Sequence, residues 1–219
     1  MPALAAVHRD IFQEVYWEGM AAAAKKYGLW IAAGSCLWPD FKTRGVYNQS
    51  WLFDPKGRAV DAQQKVHLVE LEGSRGFQLK EAPTAKIHRW DSAPIPTAAA
   101  ICLDTFHDDV ISQLSGGSPA ILDQPSANMG PWSPWQQEDW MRGCHRRVWE
   151  QQLFPMGINP MLTGSFLDLT FEGQSSIASA SEYTRRGYLD MPSDPGFAAV
   201  SCRYSGDDIL VASAPQAME

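Results

Sequence analysis

No CxxC pair, no HExxH helix and no lysine- or arginine-rich run occurs in the 219 residues. The four cysteines, Cys36, Cys102, Cys144 and Cys202, are scattered, which disfavours a zinc site and offers no disulfide framework. The five histidines show no ligand pairing, so neither a metal nor any other cofactor is expected. With a net charge of −7, the nearest approach to a basic patch is Arg142, His145, Arg146 and Arg147. These sit among Trp140, Trp149 and Glu150 as a structural helix would place them, and nucleic acid is not an expected partner. No apolar run approaches the ~20 residues of a membrane helix, so no membrane partner is expected. Met1 to Asp10 is too short and too soon charged for a signal peptide. The cytoplasm, where free thiols stay reduced, is the expected compartment.

What the chain does carry is ordinary globular composition, 45% hydrophobic and 20% charged. Its length allows roughly 70% of the unfolded surface to be buried, so a full core needs no staples. One domain over residues 1–219 is the default expectation. Leu4 to Tyr27 carries apolar residues near helical spacing and stops at Gly28. Strands are expected at Leu29–Gly34, Val46–Phe53, Ala59–Lys65, Lys86–Trp90, Pro96–Cys102 and Pro119–Asp123, with a hairpin turn at Asp54–Gly57. A short helix is expected from Asp108, and a long amphipathic one from Gln136 to Gln152. Phe154–Ile158, Phe166–Phe171, Ser176–Ala180, Ala198–Tyr204 and Ile209–Ala212 complete the strands. Many strands, few helices and several turn-joined neighbours imply mixed sheets in an α/β layered fold.

Cys102 closes the small apolar run Pro96–Ile101 and opens the polar stretch Asp104–Asp109. That pattern reads as a buried strand ending in a tight turn. A thiol at such an exit is a candidate nucleophile where a cation and a base can be brought to it. Upstream, Gln64-Lys65-Val66-His67-Leu68-Val69-Glu70-Leu71-Glu72 supplies a lysine and nearby carboxylates. Together they suggest acyl-transfer chemistry.

With these residues in place, the chain resembles the nitrilase superfamily, the carbon-nitrogen hydrolases. Lys65-Val66-His67-Leu68 is similar to its lysine motif and Ile101-Cys102-Leu103-Asp104 to its nucleophile motif. Arg147-Val148-Trp149-Glu150-Gln151 resembles the Arg-Ala-x-Glu-Asn segment that follows the nucleophile. Asn159 and Gly173-Gln174-Ser175-Ser176-Ile177 echo later segments. The resemblance implies an α-β-β-α sandwich of two mixed sheets, a homodimer or larger homo-oligomer, and a small amide or nitrile as substrate. It implies Cys102 as nucleophile, Lys65 as the cation and Glu72 as the supporting carboxylate, with Glu70 the competing choice. Leu103, through its backbone N–H, and His107 and Asn128 are the expected substrate-lining residues. Asp104 after the nucleophile leans towards amides.

The resemblance also places the family's glutamate base on a strand ahead of the first helix seen here. That opening strand, helix and strand have no counterpart in the 219 residues, and Glu14 and Glu18 fall in the helical pattern. A hydrolase impaired for want of its base is therefore expected. Two other readings stay open: a non-catalytic relative kept for ligand binding or assembly, and an unrelated thiol hydrolase using His67 or His107 as base.

Overall fold

The computed structural model describes residues 12–166, 168–183 and 195–213. The chain divides into two compact units, Met1–Pro94 and Ile95–Glu219.

In the first unit a π-helical turn, Phe12–Glu18, runs into α1, Gly19–Tyr27. The alanines at 21–24 favour this helix, and Gly28 ends it at φ +64°, a conformation glycine adopts without a Cβ penalty. The earlier part of the expected helix lies outside the described residues. Strand β1 (Ile31–Asp40) pairs antiparallel with β2 (Gly45–Phe53), which pairs with β3 (Ala59–Gln64). The sheet order is β1-β2-β3, so β2 is central, and its Val46, Leu52 and Phe53 are buried. Asp54 shapes the β2–β3 turn by accepting the Lys56 and Arg58 N–H groups, both at 2.9 Å, on Oδ1. Trp17, Trp38 and Trp51 pack together on this unit, with Trp17 and Trp51 centroids 4.6 Å apart. Lys86 to Trp90 forms no strand. A 3-10 turn, Thr84–Lys86, precedes two buried residues, Ile87 and Trp90, whose three-residue spacing does not match the two-residue period of a sheet face.

The second unit is built on a five-stranded sheet ordered β12-β11-β7-β5-β4. Its strands are β4 (Thr97–Ala99), β5 (Ile121–Asp123), β7 (Met156–Asn159), β11 (Ser176–Tyr183) and β12 (Pro195–Val200). β4, β5 and β7 are parallel, while β7, β11 and β12 are antiparallel. Helix α2 (Asp108–Leu114) forms the crossover from β4 to β5 and buries Val110, Ile111 and Leu114. Two short strands, β6 (Ser126–Ala127) and β8 (Met161–Leu162), extend the parallel pairing beyond β5 and β7.

Four expected elements differ in this unit, the first being the strand Ala198–Tyr204, which is instead β12 and ends at Val200. The single helix from Gln136 to Gln152 is instead α3 (Pro134–Met141), started by Ser133 as N-cap, followed by a turn and a π-helical segment, Arg146–Glu150. A side chain supplied by the sheet interrupts it, as described below. The expected strand Phe166–Phe171 is a hairpin, β9 (Gly164–Phe166) against β10 (Leu169–Phe171). Ile209–Ala212 forms no strand: Ile209 and Val211 are exposed, and Asp208 just before them turns back to accept the Ser201 hydroxyl at 2.7 Å.

Candidate active site

Cys102 stands three residues beyond β4, at the carboxyl ends of the parallel strands. This is the edge where open α/β sheets place their ligands. The pairing continues past the strand. Ala100 N–H donates to the Asp123 carbonyl at 2.9 Å, and Cys102 N–H to the Pro125 carbonyl at 3.0 Å. The chain then turns sharply into a 3-10 turn, Cys102–Phe106, with Cys102 at φ +52°. For a residue with a Cβ this left-handed conformation costs about 1–2 kcal/mol and is held only by its surroundings. Thr105 provides one restraint, its hydroxyl donating to the Ala100 carbonyl at 3.1 Å. Arg147 provides another. Its Nε donates to the Thr105 carbonyl at 2.9 Å, while Nη1 reaches Asp108 Oδ1 at 2.7 Å and Gln151 Oε1 at 2.9 Å.

The other thiols have different surroundings. Burial pushes Cys36 up to about 12 and also pushes Cys144 up, the neighbouring Asp123 adding to the effect there. Neither can supply thiolate near neutrality. Cys202 is exposed, 3.8 Å from the Asp208 carboxylate, in a loop after the last strand. Cys102 is partly buried and packs against a cluster of Trp132, Trp140, Met161 and Phe197.

Leu103 and His107 follow Cys102 in the same turn and are both half-buried. Asn128 is buried two elements away. Its Nδ2 donates to the Glu172 carbonyl at 3.1 Å, and its Oδ1 accepts from Trp140 Nε1 at 3.4 Å. Those bonds make it a brace for the loop beneath the aromatic cluster. Glu172 in turn accepts the Trp132 N–H at 2.8 Å.

Lys65 and Glu72 meet within the first unit. Lys65 is only 2% exposed, yet it carries an ammonium, and its Nζ donates to Glu72 Oε2 at 2.5 Å. Glu72 also accepts from Val69 N–H at 3.0 Å and from Asn48 Nδ2 at 2.8 Å. Glu70 instead faces solvent, 3.6 Å from an equally exposed Arg75. Of the two candidate carboxylates, Glu72 holds the lysine. The structure thus groups Lys65 with Glu72 in one unit and Cys102 with Leu103, His107 and Asn128 in the other.

A model of the carbon-nitrogen hydrolase family matches residues 8–181. The chain belongs to the carbon-nitrogen hydrolase family. Nitrilase homolog 2 of Dictyostelium discoideum is 26% identical over 145 residues, covering 64% of this chain and 43% of the relative. The chain therefore spans less than half of that relative's length. Among solved structures, it is similar to a carbon-nitrogen hydrolase from Helicobacter pylori G27, at TM-score 0.64 and 19% identity, covering 77% of this chain and 61% of that one. Nit3 of Saccharomyces cerevisiae, from branch 10 of the nitrilase superfamily, aligns at TM-score 0.62 and 18% identity, covering 87% and 65%. An amidase from Nesterenkonia sp. AN1 in complex with butyramide aligns at 0.57 and 16%, covering 83% and 64%. These likenesses show the fold, which is the nitrilase-type α/β fold that the motifs implied.

In this member of the family, Asn48, Thr105 and Gln124 carry no motif that singles them out in the sequence. Asn48 and Thr105 act through hydrogen bonds to Glu72 and to the Ala100 carbonyl, contacts that no motif spacing announces. Gln124 carries a faint signal, a long amide directly after an apolar strand and directly before a proline.

Proposed function

We propose that the chain hydrolyses a non-peptide carbon–nitrogen bond, of an amide before a nitrile, through a thioester on Cys102. The observation that carries this reading is the left-handed, braced turn that presents Cys102 at the carboxyl edge of the parallel strands. Membership of the family supports it. In an amide, Cys102 Sγ attacks the carbonyl carbon and the π electron pair moves to oxygen. The Leu103 N–H and the Lys65 ammonium are the groups assigned to that oxyanion. Collapse expels the nitrogen as a protonated amine and leaves the thioester. Water then attacks the thioester, the acid departs and the thiol is restored. Glu72 holds and aims Lys65, His107 and Asn128 line the site, and Asp104 inclines the choice towards amides.

Each proton transfer needs a general base, which the resemblance assigns to a glutamate on a strand ahead of α1. The same reading makes the two units one catalytic domain, because the family model runs across both. It also makes the protein a cytoplasmic homodimer or larger homo-oligomer. Among the described residues no helix is long and apolar enough to cross a membrane.

Ammonia release from short aliphatic amides and the matching nitriles tests the proposal, butyramide being the natural first probe. Turnover should vanish in Cys102→Ala and fall by ~10²–10³-fold in Lys65→Met. Undiminished release from Cys102→Ala would sink it. Loss on replacing His67 or His107 with Lys65→Met unaffected would point to a Cys–His hydrolase. Binding of amides without turnover, in a chain carrying the glutamate, would point to a non-catalytic relative.

A further inference from the structure

We infer that Gln124 is the positioning residue of the oxyanion donor, an inference that rests on the reading of Cys102 as nucleophile. Gln124 follows β5 directly and is fully buried. Its side chain spans two main-chain groups that have no part in the regular sheet. Nε2 donates to the Cys102 carbonyl at 3.3 Å, and Oε1 accepts the Cys144 N–H at 2.7 Å. The orientation of the amide is fixed by chemistry, since a backbone N–H can only donate and a carbonyl can only accept. Its main chain is held as well, the N–H by the Ile158 carbonyl at 2.8 Å and the carbonyl by the Ser126 hydroxyl at 3.0 Å.

The bond to Cys102 matters because of what shares its peptide plane. In a trans peptide the carbonyl of one residue and the N–H of the next are coplanar and point in opposite directions. Fixing the Cys102 carbonyl therefore fixes the direction of the Leu103 N–H, the donor assigned to the oxyanion. A donor on that carbonyl also polarises the peptide and strengthens its N–H. The turn's own hydrogen bond, Asp104 N–H to the Ile101 carbonyl at 3.1 Å, joins the peptides on either side and makes no contact with this one. Cys102 sits at φ +52°, where the backbone alone would relax.

The rest of the unit makes room for this side chain. A Cβ on Gly143 would lie 2.8 Å from Gln124 Oε1, 2.9 Å from Nε2 and 3.2 Å from the Phe106 ring. The helix that the sequence period predicts as continuous breaks at this glycine, and the Cys144 N–H bonds to the glutamine. The helix break and the buried glutamine are two sides of one arrangement, and its other end is the nucleophile's peptide.

The test compares two reactions of Cys102 in the full chain. Acylation by p-nitrophenyl acetate develops an oxyanion and needs little help with its leaving group, whereas alkylation by iodoacetamide is a displacement at carbon that forms none. Gln124→Met keeps the length and removes both hydrogen bonds. It should slow acylation by ~10–100-fold and change alkylation by no more than about threefold. Gly143→Ala, which crowds the amide without touching either partner, should reproduce the same split and stands in if Gln124→Met does not fold. Equal rates in variant and native chain, or equal losses in both reactions, would overturn the inference. A nitrophenolate burst that survives Cys102→Ala would instead remove the hydrolase reading itself, whatever Gln124 does.

Discussion

Cys102 and Lys65 are each held in a state that is unfavourable in isolation, one through its backbone and the other through its charge. A buried ammonium is tolerated only when it is paired and its hydrogen bonds are satisfied. Glu72 meets that need, and is itself fixed by Val69 and Asn48. Replacing Glu72 with Ala leaves the Lys65 charge buried without its partner and should cost about 3–5 kcal/mol by urea denaturation. Glu70→Ala should stay within about 0.5 kcal/mol, because both members of its pair with Arg75 are largely in water. Similar losses for the two variants would contradict the assignment of Glu72 as the lysine's partner. From sequence alone Glu72 was favoured over Glu70 only narrowly. Both follow the lysine closely, and only the course of the chain after β3 turns one inward and the other out.

Among the elements, β5 carries the most unusual side chain. It lies between β4 and β7 and is buried on both faces, which explains its short apolar run. Yet its last residue is Asp123, with Oδ2 buried and no hydrogen-bond partner among the described residues. Desolvation pushes this carboxyl up to about 7. A folded-state value above the unfolded one of about 3.9 means that the native chain binds this proton more tightly. The site's contribution to stability is therefore full below about pH 4, declines through the interval to about 7, and stays lost above it. Relative to Asp123→Asn, the native chain should lose on the order of 2–4 kcal/mol between pH 4 and pH 8, measured by denaturant titration at both values. A difference that does not change with pH would contradict a neutral, buried carboxyl.

The strands of this unit were legible because burial on two faces writes a run of apolar residues, and α2 because a polar turn and two glycines bracket it. The broken helix was not legible. Trp140, Cys144 and Val148 keep their four-residue spacing through the break, and all three are buried. The period therefore survives while the hydrogen-bond ladder does not. The interruption is caused by Gln124, 20 residues away in sequence from the amide it holds, and a local pattern contains no trace of that.

At the scale of the whole molecule, family and fold class were legible because four short motifs fall in the family's order, and one family model spans residues 8–181. Cys102 was legible as a candidate nucleophile, although its left-handed backbone was not, since cysteine has no preference for that region. The lysine was legible from its motif, and its partner Glu72 by position, with Glu70 a close competitor. The central claim is that Cys102 carries the acyl group. Incubating the full chain with butyramide, quenching in acid and mapping the peptides by mass spectrometry tests it most directly. The account predicts a butyryl mass increment on the peptide containing Cys102, absent in Cys102→Ala and discharged by hydroxylamine. Amide hydrolysis with the increment on another residue, or persisting in Cys102→Ala, would contradict it.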